Sequence, residues 1–238
     1  MTKPSICLLH VDDDSLWQTT IAGAVAGMPE IRVFETVTSA AAALDRVPVL
    51  RPDVVLLDVV LPDGDGLAVA RALGALETPP RIVLLSVRRD DVVLQAAGSP
   101  PIAALLWKTG DVLEKLPEAI RIVAAGGKYH PPEVREALRK FRADPQAYFK
   151  ILSDRELELL PRFGEGMSDE EVARFFNLSI HTVKSHRQNI LTKLGLHSTA
   201  RLIHWAIMRG FVRPPSDGWV VREDGEKGYD ASRSDGGE

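Results

Sequence analysis

Four short apolar runs in the first half of the chain each end on polar residues. Ile6-Cys7-Leu8-Leu9-His10-Val11 leads into Asp12-Asp13-Asp14, and Val54-Val55-Leu56-Leu57 leads into Asp58. Ile82-Val83-Leu84-Leu85 ends on Ser86, and the run from Ile102 to Trp107 ends on Lys108. Runs this short, separated by stretches with helical spacing, predict buried strands of a parallel sheet. The strands are expected at 6–11, 31–37, 53–59, 81–87 and 102–107. Helices are expected at 15–27, 39–47, 66–76 and 90–97, with a last one ending near 124. Asp14 or Ser15 can cap the first and Ser39 the second. Pro117 is expected in the first turn of the last helix, because a proline breaks a helix interior. Strand and helix alternating through short loops give an α/β fold, a doubly wound five-stranded parallel sheet.

The pattern changes after Gly126-Gly127. Residues 126–149 read as a linker with a short polar helix after Pro131-Pro132, ended by Asp144-Pro145. From Leu152 onward every periodic segment is helical. Ser153 caps 154–162, Ser168 caps 169–176, Ser179 opens 180–194 up to Gly195, and Ser198 caps 199–209 up to Gly210. The domains are therefore 1–125, a linker 126–149, a small all-α four-helix domain 150–212, and a tail 213–238. Pro, Gly, Ser and charge in the tail predict disorder.

Charge refines this division. The net charge is −4, but no Asp or Glu occurs between Glu171 and Asp217, where Arg174, Lys184, Arg187, Lys193, Arg201, Arg209 and Arg213 stand. An acidic half joined to a locally basic one suggests a module that binds a polyanion. Hydrophobic content of 45% and charged content of 26% are those of a soluble globular protein. Cys7 is the single cysteine, so no intramolecular disulfide forms. No signal peptide is evident, and no run reaches the roughly 18 to 20 apolar residues of a membrane span. A cytoplasmic protein with no membrane partner is expected.

In an open α/β sheet functional groups gather at the carboxyl ends of the strands. Three carboxylates, a hydroxyl and an ammonium should therefore meet along one edge. A carboxylate such as Asp58 can attack a phosphoryl group and become an acyl phosphate. That reaction needs Mg²⁺ to neutralise the incoming charge, and Mg²⁺ takes oxygen ligands such as Asp12, Asp13 and Asp58. The Lys108 ammonium can pair with a phosphoryl oxygen, and the Ser86 hydroxyl can hydrogen-bond another.

Helices 169–176 and 180–194, joined at Asn177-Leu178, fit a helix-turn-helix. On a helical wheel Val183, Ile190 and Leu194 share the packed face. His181, Lys184, Ser185, Gln188 and Thr192 share the other, which carries no carboxylate, as major-groove reading requires. Lys184 and Gln188 are best placed for bases; Arg187, which lies towards the packed side, and Lys193 are placed for phosphates. With Thr182, the candidate DNA contacts are His181, Thr182, Lys184, Ser185, Arg187, Gln188 and Lys193. Glu156 and Glu171, early in their helices, read as structural. His186 sits at the core edge, where packing and DNA contact are equally open.

Val11-Asp12-Asp13, Asp58-Val59-Val60-Leu61-Pro62 with Gly66, Ser86 and Lys108 together resemble the receiver domain of two-component response regulators, a flavodoxin-like fold. Leu152 to Glu156, Gly166-Met167-Ser168 with Glu171-Val172-Ala173, and Thr182 to His186 with Lys193-Leu194-Gly195 resemble the LuxR-type helix-turn-helix. The whole chain is similar to the NarL/FixJ class. The resemblance implies that Asp58 is the phosphoacceptor and that Asp13 and Asp58 bind Mg²⁺ directly. It implies that Asp12 binds through water, that the Val60 carbonyl completes the set, and that Ser86 and Lys108 sense the phosphoryl group. It implies a sensor histidine kinase as donor, double-stranded operator DNA as target, and a homodimer when active. In that class Leu202, Ile203, Ala206 and Ile207 would form the dimer contact; bundle core is the equal alternative.

Three positions depart from the receiver pattern. Leu105 stands where the family has Tyr or Phe, Val87 where it favours a small residue, and Pro100-Pro101 where it often has Gly-Ala. Nearby Trp107 could take part in transmission instead. Val60 cannot hydrogen-bond an attacking water through its side chain, so a long-lived phosphoryl group and at most slow autodephosphorylation are expected. One alternative keeps DNA binding but makes the receiver a dimerisation or partner-binding module that works without phosphorylation. A phosphatase or phosphotransferase of the haloacid-dehalogenase type would want a carboxylate where Val60 stands.

Overall fold

The computed structural model describes residues 5–212, 219–221 and 227–229. The described chain forms two compact units, which part within the helix Pro132–Ala143, after Lys140.

The first unit is built on the strands β1 (Ile6–Val11), β2 (Ile31–Val37), β3 (Val54–Asp58), β4 (Arg81–Ser86) and β5 (Ile102–Trp107). All are parallel and lie in the order β2-β1-β3-β4-β5. The three central strands are buried along nearly their whole length, as their unbroken apolar runs require. The helices are α1 (Ser15–Ala26), α2 (Ala40–Leu50), α3 (Gly66–Gly74), α4 (Asp91–Ala97) and α5 (Val112–Ala124). Asp14 caps α1 through the amides of Leu16 and Trp17, and Ser39 caps α2 through Ala42. Doubly wound order reverses between β1 and β3, and β1 ends beside β3 there.

Prolines were the weakest guides to helix ends. Pro117 lies inside α5, past the first turn, because the helix already begins at Val112. Helix α2 continues through Pro48 to Leu50 instead of stopping at Val47. In each case the residue whose carbonyl loses its partner, Leu113 or Leu44, is exposed. Water can serve that carbonyl, which lowers the penalty of an interior proline.

The segment after Gly127 also departs from a free linker. Tyr129 bridges to Ala104 at the edge of β5 and donates its amide to Ala103 at 2.9 Å. Helix α6 (Pro132–Ala143) is amphipathic: Val134 and Leu138 are buried, and Glu133 pairs with Lys115 of α5 at 2.5 Å.

The second unit contains α7 (Tyr148–Ile151), α8 (Asp154–Gly164), α9 (Asp169–Phe176), α10 (Ile180–Leu194) and α11 (Thr199–Met208). Helix α7 is a single turn that the sequence pattern did not indicate. Ser153 and Ser168 form capping boxes with Glu156 and Glu171, which gives both glutamates the structural role expected of them. The buried residues include Leu159, Leu160 and Phe163 of α8, Val172 of α9, and Val183 and Ile190 of α10. Leu202, Ile203 and Ala206 are buried in this bundle. Of the tail 213–238 expected to be disordered, Trp219–Val221 and Lys227–Tyr229 pair antiparallel. The remainder of that expectation lies outside the described residues.

Candidate functional site

Register brings the polar strand ends of the first unit together. Val11 is level with Leu57, Asp58 with Leu85, and Ser86 with Trp107. Asp12, Asp58, Ser86 and Lys108 therefore sit along one edge, each within a residue of the same level. One carboxylate oxygen each from Asp12, Asp13 and Asp58 lies within 4.8 Å of the other two. Asp12 and Asp58 are buried, whereas Asp13 is exposed.

Lys108 ties the two buried carboxylates, with Nζ 2.7 Å from Asp12 Oδ2 and 2.6 Å from Asp58 Oδ2. Its side chain is 3% exposed and lies over the ring of Trp17, 5.2 Å from the centroid. Burial pushes the Asp58 carboxyl above the usual carboxylate range, against the pull of Lys108 and of the Val60 amide. Burial also pushes Asp12 up, but its contacts with His10 and Lys108 outweigh that and hold it below the usual range. The donor set is wholly oxygen, three carboxylates close enough to share one ion, with one of them open to solvent. That chemistry fits a hard divalent cation such as Mg²⁺.

The loop after Asp58 is tightly fixed. Val60 donates its amide to Asp58 Oδ1 at 3.1 Å, and Val60–Leu61 pairs with Gly64–Asp65 in a miniature antiparallel turn. Asp63 accepts the Ala40 and Ala41 amides at 2.7 and 2.9 Å, which staples this loop to the start of α2. A side chain at Gly66 would overlap the carbonyl of Asp58, so α3 can begin there only on glycine. Ser86 reaches the same edge, but its hydroxyl is engaged in its own turn. It donates to the Arg88 carbonyl at 3.1 Å and accepts the Arg88 amide at 2.9 Å. Leu105 is fully buried, and Val87 is exposed.

In the second unit α10 carries the candidate DNA contacts. His181, Lys184, Ser185 and Gln188 are exposed. Ser185 and Thr192 donate their hydroxyls to the carbonyls of His181 and Gln188 within the helix. Thr182 lies close to the cap, its Oγ1 2.8 Å from Ser179 Oγ. Two candidates are paired within the domain, Arg187 partly buried and Lys193 exposed. Arg187 donates to Asp169 Oδ1 at 2.7 Å and to the Met167 carbonyl at 2.9 Å, and it covers the ring of Phe163. Lys193 pairs with Glu156 at 2.7 Å. Sequence reasoning missed exposed Asn189 on the same helix. It also missed His10, whose position two residues before Asp12 puts both side chains on one face of β1.

Two family descriptions match the chain: "Response regulator receiver domain" over residues 8–121, and "Bacterial regulatory proteins, luxR family" over residues 150–206. The chain belongs to the DNA-binding response regulators of the NarL/FixJ class. As a response regulator it is a phosphoryl acceptor by family rather than a turnover enzyme. It is 24% identical to the response regulator protein VraR of Staphylococcus aureus over 209 residues, covering 88% of this chain and all of that one. It is also similar to solved structures of RcsB from Salmonella typhimurium, one at 25% identity with a TM-score of 0.56, covering 85% of this chain and 98% of that one. A second, RcsB bound to promoter P1flhDC with the phosphomimetic BeF₃⁻, is 23% identical with a TM-score of 0.59 and covers 84% and 97% of the two chains. Among the described residues of this regulator, no helix is long and apolar enough to cross a membrane.

Proposed function

We propose that this response regulator is switched by phosphorylation of Asp58 and binds operator DNA through α10. The observation that carries the reading is the register of the central strands, which gathers Asp12, Asp58 and Lys108 at one edge with Asp13 beside them. A carboxylate oxygen of Asp58 attacks the phosphorus of the donor, a histidine kinase's phosphohistidine or a small acyl phosphate. The bond to the donor's leaving group breaks, and an acyl phosphate forms on Asp58. Mg²⁺, when held by Asp12, Asp13, Asp58 and the Val60 carbonyl, supplies charge neutralisation. Lys108 then leaves the oxygen of Asp58 it holds and pairs with a phosphoryl oxygen. Ser86 gives up Arg88 to donate to another, which moves the loop after β4.

On the DNA side Lys184, Gln188 and His181 offer side chains with donors free for base edges and phosphates. Ser185 and Thr192 offer acceptors, and Thr182 supports the helix start. Arg187 and Lys193 hold the helix in its domain. Phosphorylation shifts an existing equilibrium towards a DNA-bound homodimer in the cytoplasm.

The test is intact mass after incubation with Mg²⁺ and acetyl phosphate. One added phosphoryl group is expected on the wild type and none on Asp58→Ala. Buried Leu105, which offers no aromatic ring to swing, favours one second reading. An unlabelled wild type whose DNA affinity is unchanged by Asp58→Ala would mean a receiver that works as a dimerisation or partner-binding module.

A further inference from the structure

His10 is the one polar residue within the β1 run, on the face that Ile6 and Leu8 bury in the core. It is fully buried, and neither ring nitrogen has a hydrogen-bond partner among the described residues. Its ring stacks near Phe34, with centroids 6.4 Å apart. A leucine would satisfy the packing there, and an imidazole buried without partners opposes folding. Its nearest polar neighbour is Asp12, with Nε2 3.5 Å from Oδ2. That separation is just beyond a good hydrogen bond. The same Oδ2 already takes Lys108 at 2.7 Å, while Oδ1 takes the Asp14 amide at 3.1 Å.

Lys108 already holds two carboxylates, and a phosphoryl group on Asp58 adds a further acceptor that draws on the same ammonium. If it swings to the phosphoryl group far enough to release Asp12 as well as Asp58, Asp12 Oδ2 loses its one close donor among the described residues. We propose that His10 is a positioning residue that takes over Asp12 when Lys108 leaves, its Nε2–H closing on Oδ2 to keep the carboxylate aimed at the cation. The inference rests on the phosphoryl-site reading above. It accounts for a buried imidazole that nothing else in the first unit uses. Donors behind metal-binding carboxylates commonly fix their orientation in this way.

A double-mutant cycle with the Mg²⁺ dissociation constant, measured by calorimetry on the full chain, tests it. Lys108→Ala imitates departure of the ammonium. In that background His10→Leu should weaken Mg²⁺ binding about tenfold, and by clearly less when Lys108 is present. His10→Gln, which keeps an N–H donor, should recover part of the loss. Equal affinity with His10 or Leu in the Lys108→Ala background overturns the proposal. So does a Gln variant that binds no better than Leu, which settles the matter even if the Leu variant folds poorly. A wild type that binds no Mg²⁺ would overturn the phosphoryl-site reading itself, a result separable from the other two.

Discussion

Lys108 and Lys184 carry the same ammonium in opposite circumstances. Lys108 is almost wholly buried and bonded to two carboxylates; Lys184 is exposed and makes no ion pair among the described residues. The contrast extends to their surroundings. The receiver edge is a small site whose members hold one another in place, as an ion and a phosphoryl group of fixed size demand. The exposed face of α10 is left uncommitted, as a long polyanionic ligand would demand. Rigidity is supplied from behind it by Arg187, and at the end of the helix by the exposed Lys193 in its pair with Glu156. A buried charge bonded within its own domain is structure, and an exposed one without a partner is an offer to a ligand.

Arg187 is the sharpest test of that division. Arg187→Ala should lower the stability of the second unit by about 3 kcal/mol, because Asp169 is left without its charge partner. Chemical denaturation followed by helix circular dichroism would read this. A fully stable variant with weakened DNA binding would return Arg187 to the phosphate-contacting set. Gln188→Ala should do the reverse. Stability should stay within about 0.5 kcal/mol, while discrimination at one base position falls by about 1 to 3 kcal/mol. Binding to single-base operator variants would measure it.

Glu156 adds a pH dependence. Burial raises its carboxyl, but Lys193 and the Ser153 amide outweigh that and hold it below the usual range. A carboxylate depressed by folding stabilises above its unfolded pKa, and the gain is lost as pH falls through the folded value. Glu156→Gln should therefore cost about 1 to 2 kcal/mol at neutral pH, and the gap to wild type should narrow as pH falls below the ordinary glutamate range towards the lower folded value. Parallel denaturation curves at pH 7 and pH 3.5 would check it. The smallest effect lies at the receiver edge, where Val60→Asn should speed loss of the phosphoryl group several-fold by giving the attacking water a hydrogen-bond partner. The decay rate of the labelled mass is the measurement.

What was legible follows from how local each feature is. The strand ends and their chemistry could be read because register in a parallel sheet aligns consecutive apolar runs. The serine caps could be read because a cap acts within three residues. Arg187 could be placed towards the packed side but not partnered, because Met167 and Asp169 lie on other elements and a wheel gives an angle without saying what waits there. The buried side of α6 was hidden by its many charges, although Val134 and Leu138 stand at helical spacing. Ser86 was placed at its edge but not aimed, because its bonds to Arg88 depend on the turn that follows β4.

Gly66 constrains how this protein can vary. The carbonyl of Asp58 fills the space a side chain would need, so Asp58 and the start of α3 form one rigid corner. A library randomised at position 66 and sorted only for soluble, folded protein would come back as glycine, even with no demand for signalling. A glycine beside a functional carboxylate can thus record a steric veto rather than a chemical duty, and sequence variation alone would never tell the two apart.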